Sequence, residues 1–318
     1  MSSPRLRRAR LVLAAALLAG ALAAGTAAAA PVPQSQGTQA VPDCPKESRT
    51  AGCDIVYLTA EILDLTPSKH TMLGYSRWKG TLAWRMLATS RTFTAHLQAR
   101  PFAVWGESLD ERMIVTARCD GPCSAYGTAT GISTPGGSMD ATFRFTDNTK
   151  TVHTPEITLV LTGDHVGNWP GKDNPVTKVR CDDLIGGRRA GCVNADFIPT
   201  IATMRALPRI AANIRGLQKQ GGYGVPGDKA RALHRTWNQA RIDANRNAQC
   251  ARKHTGPTPS GQECDEYPFA ATYEGGAVGL GHGWKWVPAT EQRQQGGRLS
   301  SFYAGKRILD GDPFYVFV

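Results

Sequence analysis

Several common signatures are missing from this chain. After the N-terminus, none of its 318 residues form an apolar run long enough to cross a membrane as a helix. There is no His-Glu-x-x-His motif and no Gly-x-Ser-x-Gly elbow, which removes the usual marks of a zinc peptidase and of a serine hydrolase. Acidic residues are few for the number of basic ones. Asp and Glu total 26 against 37 Lys and Arg, for a net charge of +11. That imbalance favours anionic partners such as nucleic acid, cell-wall polymer or a membrane surface. Nothing in the sequence reads as a module that recognises bases.

What is present is globular. The chain is 41% hydrophobic and 20% charged, and its length suits two domains. Arg5, Arg7, Arg8 and Arg10 precede an apolar stretch from Leu11 to about Ala24, and small residues follow at Ala27 to Ala30. Residues 1–30 therefore read as a signal peptide, and the mature protein is expected to be secreted. Residues 31–43, rich in Pro, Gln, Gly and Ser, read as a disordered linker.

Eight cysteines suit an oxidising compartment. They fall in sequence-near couples: Cys44 with Cys53, Cys119 with Cys123, Cys181 with Cys192, and Cys250 with Cys264. Short loops predict four disulfides in that pairing. A zinc site through Cys119 and Cys123 is the alternative.

Residues 44–192 read as a β-rich accessory domain. Ile55–Leu58 is a short β run, and the segments 112–118, 139–146 and 156–162 alternate polar with apolar. Gly/Pro turn signals separate them, which predicts an antiparallel β-sandwich-like domain. This stretch carries no catalytic constellation. His153, Asp164 and His165 read as solvated turn residues. Cell-wall polymer is one candidate partner for this half.

Residues 193–318 read as a second domain. Ala195–Ile201 is a candidate strand. Pro208–Gln220 is a candidate helix, with Pro208 in its first turn and Ile210, Ile214 and Leu217 on one face. A second helix is expected from Asp228, as its cap, to about Asn247, with Ala230, Leu233, Trp237, Ala240 and Ala244 as a core stripe. Its other face carries Arg231, Arg235, Arg241 and Arg246, either tracking phosphates or simply solvated.

The most informative stretch is Glu263-Cys264-Asp265-Glu266-Tyr267-Pro268-Phe269-Ala270, continued by Tyr273-Glu274-Gly275-Gly276. Adjacent carboxylates repel one another, and a divalent cation is one common remedy. The motif, its spacing and the ending Phe314-Tyr315-Val316-Phe317 together resemble the NucA/NucB family of secreted bacterial deoxyribonucleases. The resemblance covers roughly the last 125 residues. It implies α+β architecture with a ββα-metal type nuclease fold at the C-terminus. On that plan Tyr267–Tyr273 is the first strand, Gly275–Gly283 the turn, Trp284–Val287 the second strand, and Pro288-Ala289-Thr290 opens a helix, with Thr290 a cap and Gly296-Gly297 a weak point.

The resemblance also implies roles. Asp265 takes the place of the usual histidine base, and Glu266 supports it or ligates the metal. Glu274, Glu291 and Gln292 are candidate metal ligands, with Gln292 standing where related sequences have Asn. Hard oxygen ligands suit Mg²⁺ or Mn²⁺. Arg293, Arg298 and Arg307 are candidate phosphate contacts, and His282 is a second candidate base. The expected activity is divalent-metal-dependent, sequence-nonspecific endonuclease action on extracellular DNA, with RNA a second possible substrate. The alternative is a catalytically decayed nuclease-like domain that binds nucleic acid or cell wall.

Overall fold

The computed structural model describes residues 43–66, 69–164, 168–169, 171–173 and 178–318. The segment read as a signal peptide, all of the segment read as a linker except Asp43, and His165 lie outside the described residues.

Among the described residues, thirteen strands precede residue 195: β1 (Ala51–Thr66), β2 (Lys69–Arg85), β3 (Thr92–Gly106), β4 (Arg112–Cys119), β5 (Cys123–Tyr126), β6 (Thr128–Ile132), β7 (Met139–Asp147), β8 (Val152–His153), β9 (Ile157–Gly163), β10 (Asn168–Trp169), β11 (Gly171–Asp173), β12 (Val179–Asp182) and β13 (Gly191–Asn194). They form an antiparallel six-stranded sheet, β10-β1-β2-β3-β7-β5, a four-stranded sheet, β11-β9-β4-β6, and a small β13-β12-β8 sheet. Leu58, Trp78, Leu97 and Phe143 of the first share one core with Met113, Val115 and Leu159 of the second.

The strands β4, β7 and β9 fall where the alternation put them, but β2 and β3 were not apparent from the sequence. Glycines and arginines interrupt β2, yet its even positions Trp78, Gly80, Leu82 and Trp84 are all buried. Gly80 is required there: a Cβ would sit 2.4 Å from the Gln98 carbonyl oxygen of β3. His153 is also not a solvated turn residue. Its Nδ1 lies 2.5 Å from Oδ2 of the fully buried Asp147.

The rest of the chain contributes β14 (Thr200–Ile201), α1 (Pro208–Lys219), β15 (Leu233–His234), α2 (Gln239–Cys250), α3 (Arg252–Thr255), β16 (Gln262–Tyr267), β17 (Gly283–Pro288), α4 (Ala289–Gly305) and β18 (Pro313–Val316). A second core gathers Ile201, Ile210, Ile214, Leu233, Tyr267, Phe269 and Phe314, among others, and shares no residue with the first. The strand β18 lies between β14, which it pairs in parallel, and β15, which it pairs antiparallel. The architecture is mostly β with a few helices, and all four disulfides join the expected pairs.

Two helix expectations need correction. The helix expected from Asp228 begins only at Gln239, where Asn238 accepts a bond from the Arg241 N–H. Leu233 is instead a strand residue opposite Phe314, Ala240 and Ala244 are exposed, and the buried positions of α2 are polar, Asn245 and Gln249. Helix α4 runs unbroken through Gly296-Gly297, and Thr290 lies inside it rather than capping it.

The two cores are joined by buried charge. Arg307 is 1% exposed and its backbone is left-handed, at φ 48°. Its Nε donates to Asp182 Oδ2 (2.9 Å), and Nη1 donates to the Ala88 (2.9 Å) and Arg189 (2.8 Å) carbonyls. Its Nη2 donates to the Asp182 carbonyl (2.8 Å) and to Asp182 Oδ1. Every N–H of the guanidinium is therefore used. Arg180 holds both oxygens of Asp312 (2.6 and 2.8 Å), and Arg49 reaches Asp312 at 2.9 Å. Arg49 also donates to the Lys306 and Arg307 carbonyls. Burial lowers the Arg49 pKa to about 10, with the Arg180 charge adding to the effect and Asp312 opposing it, so Arg49 stays cationic at neutral pH. Arg307 thus belongs to the junction between the cores, which corrects its reading as a phosphate contact.

Breaking one partner of a buried pair strands the other. Arg307→Ala is expected to cost about 3–5 kcal/mol in urea unfolding. The exposed Arg293→Ala should stay within about 0.5 kcal/mol. Equal stability of the two variants would show that the junction carries no such energy.

Candidate active site

The carboxylate pair lies inside a strand rather than before one. Strand β16 ends at Tyr267, because Pro268 has no N–H to continue the ladder. It pairs with β17 from Gln262↔Pro288 to Tyr267↔Gly283, which sets Asp265 opposite Lys285 and Glu266 opposite Trp284. The first strand is therefore shifted toward the N-terminus from the expected Tyr267–Tyr273. Helix α4 follows β17 directly. The Cys250–Cys264 disulfide ties the end of α2 to the residue just before Asp265.

Asp265 is fully buried. Asn213 of α1 donates to its Oδ2 (2.9 Å) and to its backbone carbonyl (3.2 Å), and Gln295 of α4 donates to its Oδ1 (2.7 Å). Burial pushes its pKa up to about 7, the two amide donors oppose the rise, and the Glu266 and Glu291 carboxylates add to it. Asn213 and Gln295 were not identified from the sequence. Amides carry no charge pattern to read, and both positions look like ordinary polar helix residues.

Glu266 lines an open cavity of about 970 Å³ together with Arg235, Arg246, Trp286, Gln292 and Gln295. Asp265 is not on that wall; Gln295 stands between it and the space. Burial raises the Glu266 pKa as well, against opposing backbone hydrogen bonds and the charge of Arg246. Its Oε2 lies 3.4 Å from Cys250 Sγ. The buried Gln292 Oε1 has no hydrogen-bond partner among the described residues. A carboxylate and an orphaned amide oxygen on one cavity wall form a hard donor pair. That suits a small divalent cation that keeps most of its waters.

The other expected ligands are engaged elsewhere. Glu274 accepts from the His234 backbone N–H (2.9 Å) and lies 2.7 Å from His234 Nδ1. The two glycines after it make room for α2. A Cβ on Gly275 would meet the Phe269 carbonyl oxygen at 2.6 Å, and one on Gly276 would meet Asn245 Cα at 2.7 Å. Asn245 in turn donates to the Ala270 and Thr272 carbonyls, both at 2.9 Å. The Glu-Gly-Gly motif is thus a packing element in this fold.

Glu291 accepts from the Arg209 (3.0 Å) and Ile210 (3.2 Å) N–H groups, at the start of α1. A carboxylate there satisfies free helix donors and faces the positive end of the dipole. Arg298 donates to the Thr203 carbonyl, and Arg293 is exposed. His282 packs edge-on to Tyr223 away from the cavity wall. The arginines that do line the cavity, Arg235 and Arg246, come from the basic segment before and within α2. Arg235 lies over the Trp237 (5.0 Å) and Tyr303 (4.5 Å) rings, and burial lowers its pKa.

The raised Asp265 pKa has a signed consequence. Between about pH 4 and pH 7 the folded state holds a proton that the unfolded state has lost, so this group's contribution to stability falls as pH rises through that window and levels off above it. The full effect is on the order of 4 kcal/mol at ~1.4 kcal/mol per unit. In EDTA, Asp265→Asn should therefore gain stability relative to the parent as pH rises from 4 to 8, with Gln295 free to turn its amide. A pH-independent difference in urea unfolding between the two proteins would contradict the raised pKa.

No curated protein and no solved structure matches the chain. A family model does, over 223–317, a stretch that contains α2, the β16–β17 pair and α4 but not the α1 residue Asn213. The model is described as deoxyribonuclease NucA/NucB, and the C-terminal part of the chain is accordingly a domain of the NucA/NucB family.

Proposed function

We propose that the protein is a secreted, divalent-metal-dependent endonuclease that hydrolyses DNA without sequence preference. The observation that carries this reading is the neighbouring pair Asp265–Glu266, with one carboxyl raised to about pH 7 behind the cavity and the other lining it, as does Gln292 with its unpartnered oxygen. On this reading β16, β17 and α4 are the two strands and helix of a ββα-metal unit. The two antiparallel sheets of the first half are an accessory β-sandwich.

Asp265 is the base. A carboxylate with a pKa near neutrality divides its population between the form that accepts a proton and the form that returns it, which suits general base catalysis at physiological pH. It takes the proton of a water whose oxygen bonds to phosphorus as the bond from phosphorus to the leaving oxygen breaks, and the leaving oxygen takes up a proton from solvent. Gln295, which covers it, must swing from Oδ1 for that water to reach it. Glu266 and Gln292 would hold Mg²⁺ or Mn²⁺ on the wall. When bound, the cation would neutralise charge on the phosphate and the leaving oxygen. Arg246 and Arg235 supply positive charge to the same wall and act on the backbone, which carries no sequence information. Secretion is supported by the four disulfides and by the arginine-rich, then apolar, N-terminal sequence.

One observation favours a second assignment. Glu266 touches the cavity and Asp265 does not, so Glu266 could itself be the base. Plasmid digestion with Mg²⁺, Mn²⁺ or EDTA separates the cases. The parent should nick and linearise plasmid with either metal and do nothing in EDTA. Asp265→Ala should lose about 10²–10⁴-fold at every metal concentration. Glu266→Gln should regain activity as metal is raised, because a weakened ligand can be saturated and a missing base cannot. The reverse pattern would make Glu266 the base. A folded protein that binds plasmid but cuts it with neither metal would be the decayed binder instead.

A further inference from the structure

The outer face of the six-stranded sheet carries exposed aromatic rings interleaved with cations. Tyr57 and Phe102 are each more than half exposed and meet edge to face, with centroids 6.5 Å apart. Tyr75 and Trp105, paired across β2 and β3, stack at 6.1 Å. Lys79 stands opposite Tyr57 with its Nζ 5.6 Å from that ring, and the Arg77 guanidinium lies 4.6 Å over Tyr75. Tyr75 is four residues along β2 from Lys79, so the two aromatic pairs are roughly 14 Å apart at ~3.4 Å per residue. A few nucleotides cover that distance.

Charge on this face has one prevailing sign. Among the described residues, Arg85, Arg100 and Arg144 share the side with Arg77 and Lys79, while the carboxylates are Glu61, Asp140 and, at the sheet edge, Asp173, whose Oδ2 accepts from the Tyr57 N–H (2.8 Å). Asp140 is already engaged by His96 (2.7 Å) and Gln98 (2.8 Å). Burying such rings in the core would be the ordinary outcome for a sheet, and the same strands do bury Trp78 and Trp84 on their other side. A second copy of this chain would bring like charge against like. Neutral glycan could stack on the rings but would leave the cations without a counterpart.

We propose that this face is a second, non-catalytic binding surface for single-stranded DNA, with bases stacked on Tyr57, Phe102, Tyr75 and Trp105 and the backbone held by Arg77 and Lys79. Stacking of this kind is tolerant of sequence and needs bases that are not already paired in a duplex. The choice of DNA as occupant rests on the nuclease reading of the other half. The surface itself does not contain the Asp265–Glu266 site.

The test uses the mature protein and a fluorescein-labelled oligothymidine, read by anisotropy in EDTA so that nothing is cut. The triple variant Tyr57→Ala, Phe102→Ala, Trp105→Ala should bind at least ~10-fold more weakly. Arg77→Gln with Lys79→Gln should lower the salt dependence of binding. Both variants should digest a short duplex in Mg²⁺ at the parental rate. Equal oligothymidine binding by parent and triple variant overturns the proposal, as does stronger competition by peptidoglycan fragments than by unlabelled single strand. Loss of platform binding with cleavage intact separates this surface from the catalytic site. Binding by the platform without any cleavage would uphold the surface and sink the nuclease reading.

Discussion

The structure turns on a buried set of three guanidinium and two carboxylate groups: Arg49, Arg180, Arg307, Asp182 and Asp312. Taking charges out of water is costly, and the arrangement holds only because the charges meet opposite partners and most donors meet acceptors. Asp182 comes from the first half and Asp312 from the second, and each is held by an arginine from the other side of the junction. The loop that carries Arg307 and Asp312 leads directly into β18, the middle strand of the sheet beneath the second core. The placement of β18, and of the helices packed on it, thus depends on contacts made more than a hundred residues earlier in the chain.

Above that junction, the candidate site is assembled by amides. Asn213 and Gln295 hold Asp265, and Asn245 and Gln249 hold the loop that returns from β16. Neutral side chains can satisfy a buried carboxyl without fixing its charge. An arginine or lysine in the place of Asn213 would drive the Asp265 pKa down and keep the group ionised. The amides leave it close to balance, and the neighbouring Glu266 and Glu291 push the same way as burial.

Local signals were readable and long-range ones were not. Helix α1 was visible from Pro208 and its apolar spacing, and three strands were visible from strict alternation. The four disulfides followed from short loops, and Asp265–Glu266 from its motif. The start of α2 was misread because Leu233 and Trp237 fit a helical stripe. The competing fact, that Leu233 pairs with Phe314, involves a strand 80 residues on. Strands β2 and β3 were missed because Gly80 looks like a breaker until β3 lies against it. Glu274, Glu291 and Arg307 each looked free to act, and each is used by a backbone or a charge that only the folded chain brings near.

The Cys250–Cys264 bond has one more consequence. It closes the loop between α2 and β16, and it can persist only where thiols are oxidised. In a reducing compartment the strand that bears Asp265 and Glu266 is joined to α2 only through residues 251–261, and ordering the wall of the cavity costs the entropy that the bond would otherwise remove. Completion of this wall is therefore coupled to the oxidation of these two thiols.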